Sequence, residues 1–204
     1  MTNVFLWGSS GTGKTLLAME TLKIKLSRLR AERKEQKKIR VIVTEYSDRV
    51  DSSLLANIRE KHLANVEGVQ ILCLAKLCEA LKIKYNWKHP KAVINEVLRS
   101  LSSDQSQVTI FVCDELLACW RDGQTSSDWS DVATGDNVVY ILSVRPLGGS
   151  EMTNLTPPSN SELVVERKLI QGHRNCPEIR SVVYFLVNWM IIDDVQAILY
   201  LVYE

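Results

Sequence analysis

The 204-residue chain predicts an α/β fold, a three-layer domain with a mostly parallel sheet between helices. Three observations predict it. Short apolar runs alternate with segments whose apolar residues recur every three or four positions. The first run, residues 4–7, is apolar throughout, as a strand covered on both faces must be. A glycine-rich loop follows that run at once and leads into the first helical pattern.

The elements follow in order. Residues 3–7 read as a strand, and a helix starts near Gly13 and runs into the mid-thirties, with Met19, Leu22, Leu26 and Leu29 on one face. Residues 39–44 are rich in β-branched residues and form a second strand, followed by a helix over 50–64. A third strand spans 69–73 and a short helix 74–81. Pro90 suits the first turn of another helix, whose apolar face is Val93, Ile94, Val97, Leu98 and Leu101. Residues 108–113 form a fourth strand, 121–137 a polar loop and 138–144 a fifth strand. Residues 145–161, with three prolines and two adjacent glycines, read as a linker. A strand over 163–169 and a helix over 177–190 are expected beyond it. The expected division is one domain over 1–160 and the start of a second, incomplete one over 161–204.

Composition narrows the function classes. Apolar residues make up 46 % and charged residues 24 %, as in ordinary globular chains, and the net charge of +1 provides no global field for nucleic acid or membrane. The five cysteines are an odd number without a C-x-x-C pair, which favours a reduced, intracellular protein of cytoplasm or nucleus. Residues 4–7 are too short for a signal peptide, and Asn188, Asp193 and Asp194 interrupt the apolar stretch 182–203, so no membrane span is expected.

The loop is Gly8, Ser9, Ser10, Gly11, Thr12, Gly13, Lys14 and Thr15, which satisfies G-x-x-x-x-G-K-[ST]. Glycines let backbone N–H groups curl around phosphate oxygens, and the helix start adds partial positive charge. Lys14 reaches the outer phosphates, and the Thr15 hydroxyl ligates Mg²⁺. The fourth strand ends in Asp114 and Glu115. Asp114 at a strand end suits Mg²⁺, held through water, and Glu115 suits activation of an attacking water. The chain has no N-K-x-D guanine motif, so ATP is expected rather than GTP.

These motifs, in this order, resemble the ATPase core of superfamily 1 helicases of the UvrD/Rep type. The loop matches that family's first motif and Asp114-Glu115 its acidic motif. Val41-Ile42-Val43-Thr44-Glu45-Tyr46-Ser47 stands where the family has a strand ending in Thr and an aromatic residue, and residues 69–77 resemble its next motif. Residues 169–179 are similar to the segment that opens its second RecA-like domain. The resemblance implies a RecA-like P-loop NTPase fold, Mg²⁺-dependent ATP hydrolysis, and a role for Arg174 on the γ-phosphate across a domain cleft. It also implies two kinds of partner: single-stranded DNA or RNA, and a second RecA-like domain or subunit.

The chain departs from the family at several positions. Leu117 stands where a Gln is usual, Cys73 where a Thr is, and Ser143-Val144-Arg145-Pro146 where Gly-Asp-Pro and a Gln follow the fifth strand. The adenine-reading Gln upstream of the loop has no counterpart, and the second domain would be incomplete. Unwinding by this chain alone is therefore not expected. Two alternatives stay open: a nucleotide-dependent signalling switch of the STAND or NACHT kind, and a degenerate fragment that binds ATP without turnover.

Other features carry bland readings beside sharper ones. The basic run from Lys23 to Arg40 reads as a solvated helix face or a phosphate-backbone contact. Trp87, Lys88 and His89 read as a loop anchor or a base-stacking site. Trp120 and Trp129 read as a lid near the nucleotide or as packing at the sheet edge, and the three histidines lack metal-ligand spacing.

Overall fold

β1 (Asn3–Trp7) is buried at all of its positions. Alongside it run β2 (Lys38–Glu45), β3 (Val69–Cys73), β4 (Gln107–Leu117), β5 (Val138–Arg145) and β6 (Ser161–Val165). The six strands among the described residues are all parallel, in the order β3-β2-β4-β5-β1-β6. The helices are α1 (Lys14–Glu32), α2 (Ser53–His62), α3 (Leu74–Ala80) and α4 (Pro90–Ser102). This computed structural model describes residues 2–8, 13–32, 38–47, 53–64, 66, 68–117, 128–145, 156–159 and 161–165.

The two faces of the sheet have separate cores, which makes the architecture three-layered. On one face, Leu22, Leu26 and Leu29 of α1 and Ile58 of α2 pack on Val4, Leu6, Val41, Val43, Ile110, Val112 and Ile141. On the other, Leu74 and Leu77 of α3 and Val93, Ile94, Val97 and Leu98 of α4 pack on Phe5, Ile42, Phe111, Tyr140 and Leu142. The strand residues alternate between these two lists, as the pleat requires. Each fully buried aliphatic side chain of this size contributes about 1.5–3 kcal/mol relative to exposure. α4 begins with Pro90 in its first turn, where no backbone donor is missed. Asn95 ties α4 to the following loop. Its amide donates to the Asp131 carbonyl at 3.3 Å and its Oδ1 accepts from Ala133 N–H at 2.7 Å.

Most boundaries fall within two residues of the sequence expectation, and some differences bear on the site. β4 does not end at the acidic pair: it continues to Leu117, with a register break between Cys113 and Leu116. Residues 113–116 oppose only 142–144 of β5, so β4 carries an extra residue there. β6 starts at Ser161, two positions early, and pairs with β1 from Asn3↔Ser161 to Trp7↔Val165. Residues 161–165 thus belong to the first sheet, across the expected boundary at 160/161. Trp129 is no lid. It is 1 % exposed and its ring centroid lies 5.4 Å from that of Phe5, within the α4-side core. Trp120, the expected helix over 177–190 and the rest of the expected second domain lie outside the described residues.

The basic run makes local contacts where it is described. Lys23 pairs with Glu20 at 2.6 Å, Lys25 donates to the Thr2 carbonyl, and Arg40 donates to Gln70 at 3.2 Å. Among the described residues, no helix is long and apolar enough to cross a membrane.

Candidate functional site

The carboxyl ends of β1, β4 and β5 and the start of α1 converge at one end of the sheet. Gly8 follows β1 and donates its N–H to the Val144 carbonyl at 3.3 Å, which holds the loop entrance against β5. Gly13, at φ 90°, has a backbone conformation that favours glycine. Its carbonyl accepts from Leu17 N–H at 3.0 Å, the first hydrogen bond of α1. Lys14, at the first position of α1, is 7 % exposed. Ser9, Ser10, Gly11 and Thr12 lie outside the described residues, as does Arg174.

Thr15 and Asp114 are brought together. The Thr15 hydroxyl donates to Asp114 Oδ2 at 2.5 Å, and Asp114 Oδ1 accepts from the Glu115 N–H at 3.0 Å. Asp114 is fully buried, so both carboxylate oxygens have a donor in place of water. Its own carbonyl accepts from Tyr46 N–H at 2.9 Å, which carries the β2–β4 pairing one step further.

Glu115 has φ 57°, a left-handed conformation rare for a residue with a side chain, and it sits in the register break of β4. The break has a chemical consequence. In a regular strand, consecutive side chains leave on opposite faces, and two adjacent carboxylates could not serve one site. Here Asp114 faces α1, as its bond to Thr15 requires, and Leu116 is in the opposite core. The extra residue, Glu115, meets Arg145 of β5, with Nη1 to Oε2 at 3.3 Å. Arg145 shares the parity of Ile141, which packs in the α1-side core. Glu115 and Arg145 are partly exposed, with side chains 26 % and 36 % accessible.

Two residues of β5 join the site that sequence reasoning had noted only as departures. Arg145 is one. Ser143 is the other: it is fully buried and shares the α1-side parity, and its hydroxyl has no hydrogen-bond partner among the described residues. The usable signal was that ligands of parallel sheets gather at strand carboxyl ends. The strand order, which sets β5 between β1 and β4, had to be known first.

The surroundings are dry beneath and aromatic beside. Burial pushes the Cys113 thiol well above its usual range. Thr44 donates to the Val112 carbonyl at 3.0 Å. Tyr46 donates to the Trp87 carbonyl at 2.5 Å and its ring lies 6.1 Å from that of Tyr85, so Trp87 is anchored through its backbone while its side chain is 44 % exposed. Lys88 Nζ stands 5.7 Å from the Trp87 ring centroid.

The donor set at Thr15 and Asp114 consists of hard oxygens. That fits Mg²⁺, which takes one or two protein oxygens and completes its shell with water and phosphate oxygens. Among the described residues there is no cluster of three His, Cys, Asp or Glu that could hold a metal without a ligand's help. No protein-family model, curated protein or solved structure matches the chain.

Proposed function

We propose that the chain binds ATP with Mg²⁺ at the carboxyl end of its sheet and hydrolyses it. The observation that carries this reading is the Thr15–Asp114 contact, which sets the last residue of the G-x-x-x-x-G-K-[ST] motif, on α1, against a buried acid on β4. A chance match to the motif would need no such acid.

The roles follow from the groups. Backbone N–H groups of the loop from Gly8 to Thr15 and the start of α1 hold the phosphates. Lys14 sets a positive charge against the β- and γ-phosphates. Thr15 and Asp114 are the side chains for Mg²⁺, which when bound neutralises charge on the phosphate oxygens. Glu115 orients the attacking water and accepts its proton. Arg174 is the arginine proposed for the γ-phosphate from a second RecA-like unit, and single-stranded DNA or RNA is the polymer partner proposed with it. The intracellular setting proposed for this activity rests on the unpaired cysteine count.

Turnover of ATP by the purified chain tests the reading. Lys14→Ala and Glu115→Gln should each lower it at least tenfold, and hydrolysis unchanged in both would sink the proposal. Adding single-stranded nucleic acid separates the helicase-like reading from the alternatives: stimulation supports the former. The Arg145–Glu115 pair favours a switch-like ATPase as the second reading, because the water-activating carboxylate is held until the pair opens. That reading expects nucleotide-dependent assembly and no response to nucleic acid. A binder without turnover is excluded by multiple cycles of hydrolysis.

A further inference from the structure

We propose that the Arg145–Glu115 ion pair is a latch: Arg145 holds the water-activating carboxylate and turns to the γ-phosphate when a triphosphate binds. The proposal rests on the triphosphate-site reading above and goes beyond it by adding a residue that reports the third phosphate.

Position comes first. β5 lies between β1, which leads into the phosphate loop, and β4, which bears the acids. Arg145 is the last residue of β5 and has the parity of the face on which α1 packs. It therefore stands at the carboxyl end of the sheet, between the ends of β1 and β4, on the side of α1. Its guanidinium already contacts one oxyanion, Glu115 Oε2, at 3.3 Å.

Mobility comes second. The backbone of Glu115 is fixed by its φ of 57° and by the register break around it, and Asp114 Oδ1 holds its N–H. The Glu115 carboxylate, on a shorter side chain than the guanidinium of Arg145, has the smaller reach. Arg145 sits on a regular strand with a long, flexible side chain, so the arginine is the moving part.

Strength comes third. Both side chains are partly exposed, and a pair screened by water is weak and readily exchanged. A terminal phosphate carries more charge than a carboxylate and accepts a bidentate guanidinium contact. The exchange therefore favours the phosphate. It leaves Glu115 free to take a proton from water, and a diphosphate offers no group at that place.

The test is equilibrium binding by calorimetry of a non-hydrolysable ATP analogue and of ADP, each with Mg²⁺, to the full chain. Arg145→Gln should weaken the analogue about tenfold and leave ADP within about twofold, the size of one charge-assisted contact. Arg145→Lys should recover part of the loss. Glu115→Gln should strengthen the analogue about threefold by releasing Arg145, and that gain should vanish in the Glu115→Gln/Arg145→Gln double variant. An analogue-to-ADP preference unchanged in Arg145→Gln overturns the latch. So does an equal gain from Glu115→Gln in both backgrounds, which is simple charge removal. Wild-type chain that binds neither nucleotide, or binds no better than Lys14→Ala, overturns the triphosphate site itself and the latch with it. Circular dichroism confirms folding; should Arg145→Gln unfold, the Arg145→Lys comparison decides.

Discussion

Thr15 Oγ1 lies 2.5 Å from Asp114 Oδ2, although the two residues are 99 positions apart in the chain. The contact joins the first turn of α1 to the fourth strand. It places a hydroxyl and a carboxylate together at the carboxyl end of the sheet.

Asp114→Ala should destabilise the nucleotide-free chain. The substitution leaves the Thr15 hydroxyl and the Glu115 N–H without their acceptor in a fully buried place. The expected cost is about 1–3 kcal/mol, measured by urea unfolding. Thr15→Ser keeps the hydroxyl and should stay within about 1 kcal/mol. A loss below about 0.5 kcal/mol for Asp114→Ala would mean that the contact carries no structural weight.

Glu115→Gly should leave the fold intact and remove the activity. Glycine adopts φ 57° without steric cost, so the usual penalty of a mid-strand glycine does not apply here. The expected stability change is within about 1 kcal/mol, while ATP turnover falls at least tenfold. The same exchange at Val112, a regular buried strand position, should cost about 3 kcal/mol or more, through the lost side chain and added backbone freedom. Equal losses at the two positions would contradict the left-handed conformation of Glu115.

Trp129→Ala should cost about 3–5 kcal/mol, as removal of a large buried ring does. Its ring packs on Phe5 and is 1 % exposed. Acrylamide quenching offers a second readout: Trp129 should be shielded and Trp87, at 44 % exposure, open to the quencher. An accessible Trp129 would restore the lid reading.

Alkaline pH should weaken the fold. Burial pushes the Cys78 thiol up to about 11 from an ordinary 9.0. Burial likewise raises the Tyr140 hydroxyl to about 12 from 10.0. From about pH 9 to about pH 11 the unfolded chain has already lost the Cys78 proton that the folded chain keeps, so stability falls across that window. Below about pH 9 these groups contribute no slope. Melting temperature followed from pH 8 to pH 11 measures this, and Cys78→Ala should flatten part of the fall. A melting temperature constant up to pH 11 would refute it.

Magnesium-free buffer with EDTA should weaken triphosphate binding, because Lys14 and the loop amides alone face the full phosphate charge. Calorimetry with and without Mg²⁺ reads the difference, expected to be at least tenfold. Equal affinity in both buffers would separate Thr15 and Asp114 from the metal.

Much of the fold was legible locally. Met19, Leu22, Leu26 and Leu29 recur at helical spacing, and all four are buried against the sheet by α1. Val69–Cys73 and the start of α4 at Pro90 fall where the pattern put them. Each of these signals is contained in a short window. The register break in β4 had no such signal, because glutamate at φ 57° is not a residue type that announces a left-handed turn. Trp129 was ambiguous for a related reason: a tryptophan in a polar loop suits a lid or a core equally until its neighbours are known.

By itself, then, the sequence determined the alternation of strands and helices, the phosphate-loop pattern from Gly8 to Thr15, and the adjacency of Asp114 and Glu115. These depend on side chains near one another along the chain. Only the tertiary structure decided that β5 separates β1 from β4, that β6 joins β1, and that Arg145 meets Glu115. Parallel strands are joined through long crossovers, so neighbours in the sheet are set by burial of the whole layer and leave no mark within any one segment.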